Sequence, residues 1–290
     1  MSGERQRPRR RRELSQHFLR SGALAADLVA RTSISSDDLV VEIGPGRGAL
    51  TAALTARCRE LVAVEIDARL CEELRARFRG AAHVAIVCGD FLRHPLPRSP
   101  YKVFGSIPFA RTAEIVERVT HASTAPDDAY LIVQREAAER FAGGPYAPET
   151  LRSLSLKPYW HVEIVRRLRR TDFDPPPVVD SVVLWLARRP RPLVDPTHQR
   201  EYRRFIAEAF GRHGRTIDRC LRLEFTRRQI GRLSRDLRFE TSWPPSRLSF
   251  DQWLGLFRFS ALKGGRQDRP IGSRIHEAQD TEPEIIDTSC

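Results

Sequence analysis

Hydrophobic and polar positions along this chain follow two regimes. Through residues 13–190, short apolar runs of strand length alternate with stretches whose apolar positions recur every three or four residues. The runs 39–43, 61–66, 84–88, 102–105 and 129–134 are rich in Val, Ile and Leu and read as strands. Between them, 49–57 and 69–79 carry apolar residues at helical spacing. This alternation predicts βαβ units and a parallel sheet. Two later runs, 161–168 and 181–187, have no helical stretch between them. Asp174-Pro175-Pro176-Pro177 separates them, so they are predicted to pair antiparallel at one sheet edge.

A Pro-rich stretch over 189–196 reads as a linker. Beyond it the period is helical throughout, at 202–210, 217–225, 229–237 and 250–259. The predicted organisation is a basic arm over 1–12, an α/β domain over 13–190, a small helical domain over 197–262 and a tail over 263–290. The arm holds Arg5, Arg7, Arg9, Arg10, Arg11 and Arg12, and is expected to be disordered alone and to neutralise phosphates. The tail holds Glu277, Asp280, Glu282, Glu284 and Asp287, and reads as a disordered acidic end.

Composition narrows the partners. The chain has 290 residues, 41% of them hydrophobic, enough for a substantial core. A formal net charge of +12 points to a polyanion, and an RNA-facing surface on the helical domain fits that charge. Only Lys102, Lys157 and Lys263 are lysine; the remaining basic residues are arginines, whose forks suit phosphates and stack on bases. The 5 cysteines are widely spaced without a Cys-x-x-Cys, so neither a metal site nor a disulfide framework is expected. Reduced thiols and a cytoplasmic location follow. No apolar run reaches membrane-spanning length, and the basic start lacks the apolar core of a secretory signal.

The chemistry concentrates after the predicted strands. Gly44-Pro45-Gly46-Arg47-Gly48 follows a strand and opens a helix, letting backbone turn tightly against a nucleotide-like cofactor. Gly44-x-Gly46-x-x-Ala49 is also compatible with a dinucleotide, or with a tight turn alone. Glu65 ends the next strand about twenty residues on, where a carboxylate can accept ribose hydroxyls. Asp67 is better suited to cap the following helix. Asp90, in Gly89-Asp90-Phe91, follows the third strand and is an acceptor for an adenine amino group, or a turn residue. Ser106-Ile107-Pro108-Phe109 makes a rigid corner beside a flat ring, the shape needed to hold an extruded base. Phe173, before a proline run, supplies a second ring, and Phe109 and Phe173 are expected to sandwich a purine. Ser15-Gln16-His17-Phe18-Leu19 precedes the first helix and is positioned to close over a cofactor, with no acid–base role for His17.

These residues, in this order, resemble the rRNA adenine N6-methyltransferases, the group containing the Erm macrolide-resistance enzymes and the small-subunit dimethyladenosine transferases. The resemblance spans about residues 15–186 and continues more weakly beyond. Lys157-Pro158-Tyr159-Trp160 and the stretch from Ile164 to Asp180, with Arg166, Leu168, Arg170, Asp172, Phe173, Pro175, Pro177 and Val179, are similar to the Erm branch. The resemblance implies a Rossmann-like sheet with a helical C-terminal domain, S-adenosylmethionine as cofactor, and 23S rRNA at the macrolide site as substrate, with a monomer expected. It implies His17, Leu19, Gly44, Gly46, Glu65, Asp90 and Ser106 as cofactor contacts. Ser106, Ile107, Pro108, Phe109 and Phe173 would serve the target adenine.

Ser106 departs from the family, which usually carries Asn there. In the family the Asn side-chain carbonyl and the following backbone carbonyl accept from the adenine N6 amino group and aim its lone pair at the methyl. Serine keeps an acceptor on a shorter arm. Three other readings stand beside this one. A 16S rRNA dimethyladenosine transferase shares the fold. An RNA-binding protein with weakened catalysis fits Ser106. A nicotinamide-dependent oxidoreductase fits the glycines but leaves the Ile-Pro-Phe corner and the charge unexplained.

Overall fold

The computed structural model describes residues 17–210 and 216–263. The arm over 1–12, Ser15, Gln16 and the tail from 264 onward lie outside the described residues. The chain divides into two compact units, Met1–Pro196 and Thr197–Cys290.

The first unit is built on a seven-stranded sheet. Its strands are β2 (Leu39–Ile43), β3 (Glu60–Glu65), β4 (Val84–Cys88), β5 (Lys102–Ser106), β6 (Asp128–Gln134), β7 (Trp160–Leu168) and β9 (Ser181–Arg188), in the order β4-β3-β2-β5-β6-β9-β7. The first five in that order are mutually parallel; β9 is antiparallel to both β6 and β7. The antiparallel edge pair is thus observed, with a bulge between Ile164 and Arg166. A separate two-stranded ribbon pairs β1 (Phe18–Leu19) with β8 (Phe173–Asp174).

Alternation along the strands divides the core into two layers. Val41, Ile43, Val103, Leu131 and Leu184 pack with Ile115, Val116 and Val119 of α4 (Thr112–His121) and with Ala138 and Phe141 of α5 (Arg135–Ala142). Val40, Phe104, Tyr130 and Val183 pack with Leu28 and Val29 of α1 (Gly22–Ala30) and with Leu50 and Leu54 of α2 (Ala49–Thr55). Phe104, Tyr130 and Trp185 sit in register on neighbouring strands and stack at centroid spacings of 5.9 and 6.2 Å. Burial on both faces explains why these strands read as continuous apolar runs.

Some boundaries differ from the sequence pattern. β3 stops at Glu65, so Ile66 lies beyond the strand and is 48% exposed. Asp67 caps α3 (Ala68–Arg77), accepting from Arg69 N at 3.0 Å. β5 runs one residue further than the apolar pattern, because Ser106 still pairs with Ile132.

The second unit contains α7 (Gln199–Phe210), α8 (Ile217–Leu221), α9 (Arg227–Asp236) and α10 (Phe250–Lys263); α6 is Leu151–Leu156 in the first unit. Its core gathers Tyr202, Phe205, Trp253 and Phe257, with Tyr202 edge-on to Phe257 at 5.0 Å. The helix expected over 217–225 ends at Leu221. Thr226 needs an extended backbone to cap α9, where it forms a capping box with Gln229, and this forces the chain out of the preceding helix. α10 reaches Lys263, the first residue of the expected tail.

Candidate active site

The parallel strands β2, β3, β4 and β5 deliver their following residues to one edge of the sheet. β2 lies between β3 and β5, so the winding direction reverses across it and a cleft opens at the reversal. The residues that the resemblance implies as cofactor and target contacts all line this cleft: His17, Leu19, Gly44, Gly46, Glu65, Asp90, Ser106, Ile107, Pro108, Phe109 and Phe173.

The glycine turn is held open by left-handed backbone. Gly44 has φ +65°, and a Cβ there would lie 3.0 Å from Ser106 O. Gly46 has φ +58°, and a Cβ there would lie 2.5 Å from the Phe18 ring. No L side chain fits either position without strain.

Glu65 is tied to that turn. Its Oε2 accepts from Gly46 N at 3.0 Å and its Oε1 from Asp67 N at 2.9 Å. Burial raises its pKa, and the amides of Asp67 and Gly46 oppose this. Both oxygens keep a lone pair for a further donor.

Asp90 sits between two donors. Leu92 N reaches Oδ1 at 3.0 Å and Arg111 Nη1 reaches Oδ2 at 3.2 Å. Arg111 also donates from Nη2 to Glu114 Oε2 at 3.0 Å. Burial works against the charged form of Asp90, but the Leu92 amide and the Arg111 guanidinium outweigh it and hold the carboxyl below its ordinary value.

The Ser106–Phe109 corner leaves β5 into a short 3-10 turn, where Pro108 O accepts from Arg111 N at 3.0 Å. Ile107 is buried, and its amide donates to Ile132 O at 3.3 Å. The Ser106 hydroxyl has no hydrogen-bond partner among the described residues. Phe109 stacks on His17 at 5.7 Å, and His17 Nδ1 lies 2.8 Å from Pro175 O. The imidazole therefore braces the aromatic corner against the proline run.

Phe173 differs from expectation. It is 1% exposed and pairs with Leu19 in the β1–β8 ribbon. It lines the cleft together with Phe109, and its burial leaves little of its ring for a base to stack on.

One residue of the site, Arg111, escapes the sequence pattern, and Glu42, an acid that the sequence places beside the glycine turn, lies behind the cleft rather than in its lining. Arg111 looks like one more solvated arginine until β4 and β5 bring it to Asp90. Glu42, on β2, is 0% exposed, and neither carboxylate oxygen has a hydrogen-bond partner. Burial, reinforced by the charge on Glu65, pushes its pKa up to about 8. Among the described residues no group of three or more His, Cys, Asp and Glu could hold a metal ion, and no helix is long and apolar enough to cross a membrane.

A doubly wound sheet, a glycine turn at its switch point and carboxylates after the next two strands define an α/β enzyme of the Rossmann-like methyltransferase class. The family described as "Ribosomal RNA adenine dimethylase" matches residues 7–260, and the chain belongs to it. An "rRNA adenine N-6-methyltransferase" of Streptomyces fradiae is 37% identical over 252 residues, covering 86% of this chain and 78% of the relative. "Mycinamicin-resistance protein MyrB" of Micromonospora griseorubida is 30% identical over 265 residues, covering 91% of this chain and 83% of the relative. The crystal structure of "23S rRNA methyltransferase ErmE" superposes with a TM-score of 0.78 at 29% identity, covering 83% of this chain and 98% of that one.

Proposed function

We propose that this protein transfers methyl from S-adenosylmethionine to N6 of one adenine in 23S rRNA, in the peptidyl-transferase loop at the macrolide site. The product protects the ribosome from macrolides, lincosamides and streptogramin B. The observation that carries this reading is the meeting of the Gly44–Gly46 turn, Glu65, Asp90 and the Ser106–Phe109 corner around one cleft. The likeness to ErmE and to a mycinamicin-resistance protein supports the choice of rRNA and the resistance outcome. In this reading the protein acts as a monomer.

The residues present fit the cofactor. A Cβ at Gly44 or Gly46 would intrude on the turn that cradles it. Glu65 keeps acceptor capacity for ribose hydroxyls, and Asp90 offers a charged acceptor to the adenine amino group. His17 and Leu19 close the cleft from the β1 side. S-adenosylmethionine supplies an electrophilic methyl group on a sulfonium centre.

The chain's own contribution is alignment. Ser106 and the Ile107 carbonyl accept from the N6 amino group of the target, which turns the nitrogen lone pair toward the methyl. Phe109 stacks on the base, a contact worth about 1–3 kcal/mol. No strong general base is needed, because the amine becomes acidic as its lone pair is used.

The family description names no ribosomal subunit, so the 16S alternative shares the fold and the site. Purified protein, labelled S-adenosylmethionine and protein-free large- and small-subunit rRNA separate the readings, with the modified base mapped. Label at one adenine of 23S rRNA is expected. Label in 16S rRNA alone overturns the assignment, and tight cofactor binding without transfer to either RNA makes this an RNA-binding protein with lost catalysis.

A further inference from the structure

We propose that a second, basic cleft beside the active site binds a backbone phosphate of the RNA strand that carries the target adenine. This rests on the rRNA reading above. Arg20, Arg47 and Arg77 line the cleft around a single carboxylate, Asp174. Arg47 Nη1 lies 2.7 Å from Asp174 Oδ2, and Arg20 Nη2 lies 3.8 Å from Oδ1. Arg20 Nε donates to Phe173 O at 2.8 Å, and Arg77 Nη1 donates to Arg47 O at 2.8 Å. The Arg47 guanidinium also sits over the Phe18 ring, 5.0 Å from its centroid.

Each guanidinium is therefore held in place by a fixed acceptor or ring while keeping further N–H donors for a ligand. Three cations against one carboxylate leave a net positive site. The side chains of Arg20 and Arg47 remain 54% and 45% exposed, so an incoming anion meets donors that are already oriented. Preorganised forks of this kind suit phosphate oxygens.

The β1–β8 ribbon links this cleft to the catalytic one. Leu19 pairs with Phe173 and Phe18 with Asp174. Alternation sends Phe173 to the floor of the catalytic cleft and Asp174 to the arginines. Leu19, Arg47 and Ala49 line both clefts. Because the two clefts share this wall, the proposal places the backbone next to the adenine that enters beside Phe109 at the three arginines.

A cofactor carboxylate is the other source of an anion here, and the test has an arm for it. The probe is a protein-free 23S rRNA fragment carrying the peptidyl-transferase loop, titrated at several salt concentrations against wild type, Arg20→Gln, Arg77→Gln, the double variant and Arg77→Lys. S-adenosylhomocysteine affinity and thermal midpoint are measured on each. Each Gln variant should bind the fragment several-fold more weakly, with the slope of log affinity against log salt reduced by about 0.7 for each phosphate no longer neutralised. S-adenosylhomocysteine affinity should stay unchanged, and Arg77→Lys should keep the wild-type slope. Folded Gln variants with the wild-type slope would overturn the proposal. A loss confined to S-adenosylhomocysteine would also overturn it and assign the cleft to the cofactor carboxylate. Because binding is read without turnover, a wild type that binds the fragment but methylates neither rRNA defeats the methyltransferase reading and leaves this measurement intact.

Discussion

The amide of Gly46 donates to Glu65 Oε2 at 3.0 Å, so the residue proposed to hold the cofactor ribose also fastens the glycine turn beside it. One carboxylate thus fastens the loop that frames its own proposed ligand. Glu65→Ala should weaken S-adenosylhomocysteine binding by about 1–3 kcal/mol, from ribose hydroxyls left without a partner. It should also lower the thermal midpoint, because the Gly46 and Asp67 amides lose their acceptor. Glu65→Gln keeps one acceptor oxygen and should fall between the two. Calorimetric titration and thermal unfolding read both effects; equal affinity in wild type and alanine variant would remove Glu65 from the site.

Two glycines contrast in what a side chain would meet. At Gly46 the φ of +58° opposes a side chain, and so does the Phe18 ring, which a Cβ would meet at 2.5 Å. Gly46→Ala should cost about 1–3 kcal/mol in strain and displace Phe18 from under Arg47. Gly22, at the start of α1, has nothing within 4 Å of its Cβ position. Gly22→Ala should be neutral or stabilise by up to about 1 kcal/mol. Urea unfolding of the pair checks the contrast, which vanishes if the turn can relax.

Arg111 helps to set the acid behaviour of Asp90. Asp90 is held below its ordinary value of 3.8 by Leu92 N and Arg111 acting against burial. For a carboxyl depressed in the folded state, the stabilisation is present above the unfolded pKa and is lost as pH falls through the folded pKa. Arg111→Leu removes the charge, so the Asp90 pKa rises and protonation begins at higher pH. The acid limb of S-adenosylhomocysteine affinity should therefore move upward in pH relative to wild type, while affinity near neutrality changes little. Coincident acid limbs would show that Arg111 serves Glu114 rather than Asp90.

Glu42 has the opposite sign. Its pKa is raised from 4.5 to about 8, so the folded protein keeps a proton that the unfolded chain releases. Its contribution to stability is full below the unfolded value, declines as pH rises through that window, and is level above it. Glu42→Gln carries no such proton. The stability of the glutamine variant relative to wild type should climb by about 5 kcal/mol between the unfolded and folded pKa values, whatever fixed offset the buried amide introduces. Denaturant unfolding at several pH values measures it, and a flat difference would mean that Glu42 ionises freely in the fold.

What the sequence makes legible follows from what is local. β2, β3 and β5 are buried on both faces, so their apolar runs are plain in the chain, and Gly44 and Gly46 mark a turn that only glycine tolerates. The acids after β3 and β4 can be read because parallel strands all end on one edge. Arg111 cannot be read this way. Its partner Asp90 lies on a different loop, and only the order β4-β3-β2-β5 brings the two together. The burial of Phe173 is equally non-local, since the covering strand at Phe18–Leu19 lies far away in sequence. The early end of α8 at Leu221 has a local cause, the cap at Thr226, but the apolar pattern runs on through Phe225 and hides it.

Ser106 is predicted to limit how far the proposed reaction runs. It ends β5 paired with Ile132, and its carbonyl faces Gly44, so the backbone of the corner is fixed from both sides. The hydroxyl is the variable part. It has no hydrogen-bond partner among the described residues, and it is shorter than the Asn side chain usual in the family. In the proposed site the Ile107 carbonyl would then hold one N–H of the target amine more firmly than the hydroxyl holds the other. The first methyl transfer tolerates this, because two N–H groups are available. The second is more demanding, since the first methyl has removed one N–H and added bulk beside Ser106. Wild type should give mainly N6-monomethyladenine, and Ser106→Asn should raise the dimethyl fraction severalfold with S-adenosylhomocysteine affinity unchanged. Mass spectrometry of the target nucleotide after exhaustive reaction reads the ratio. Complete dimethylation by wild type at ordinary enzyme levels would show that the backbone carbonyls suffice and that serine is a neutral replacement at this corner.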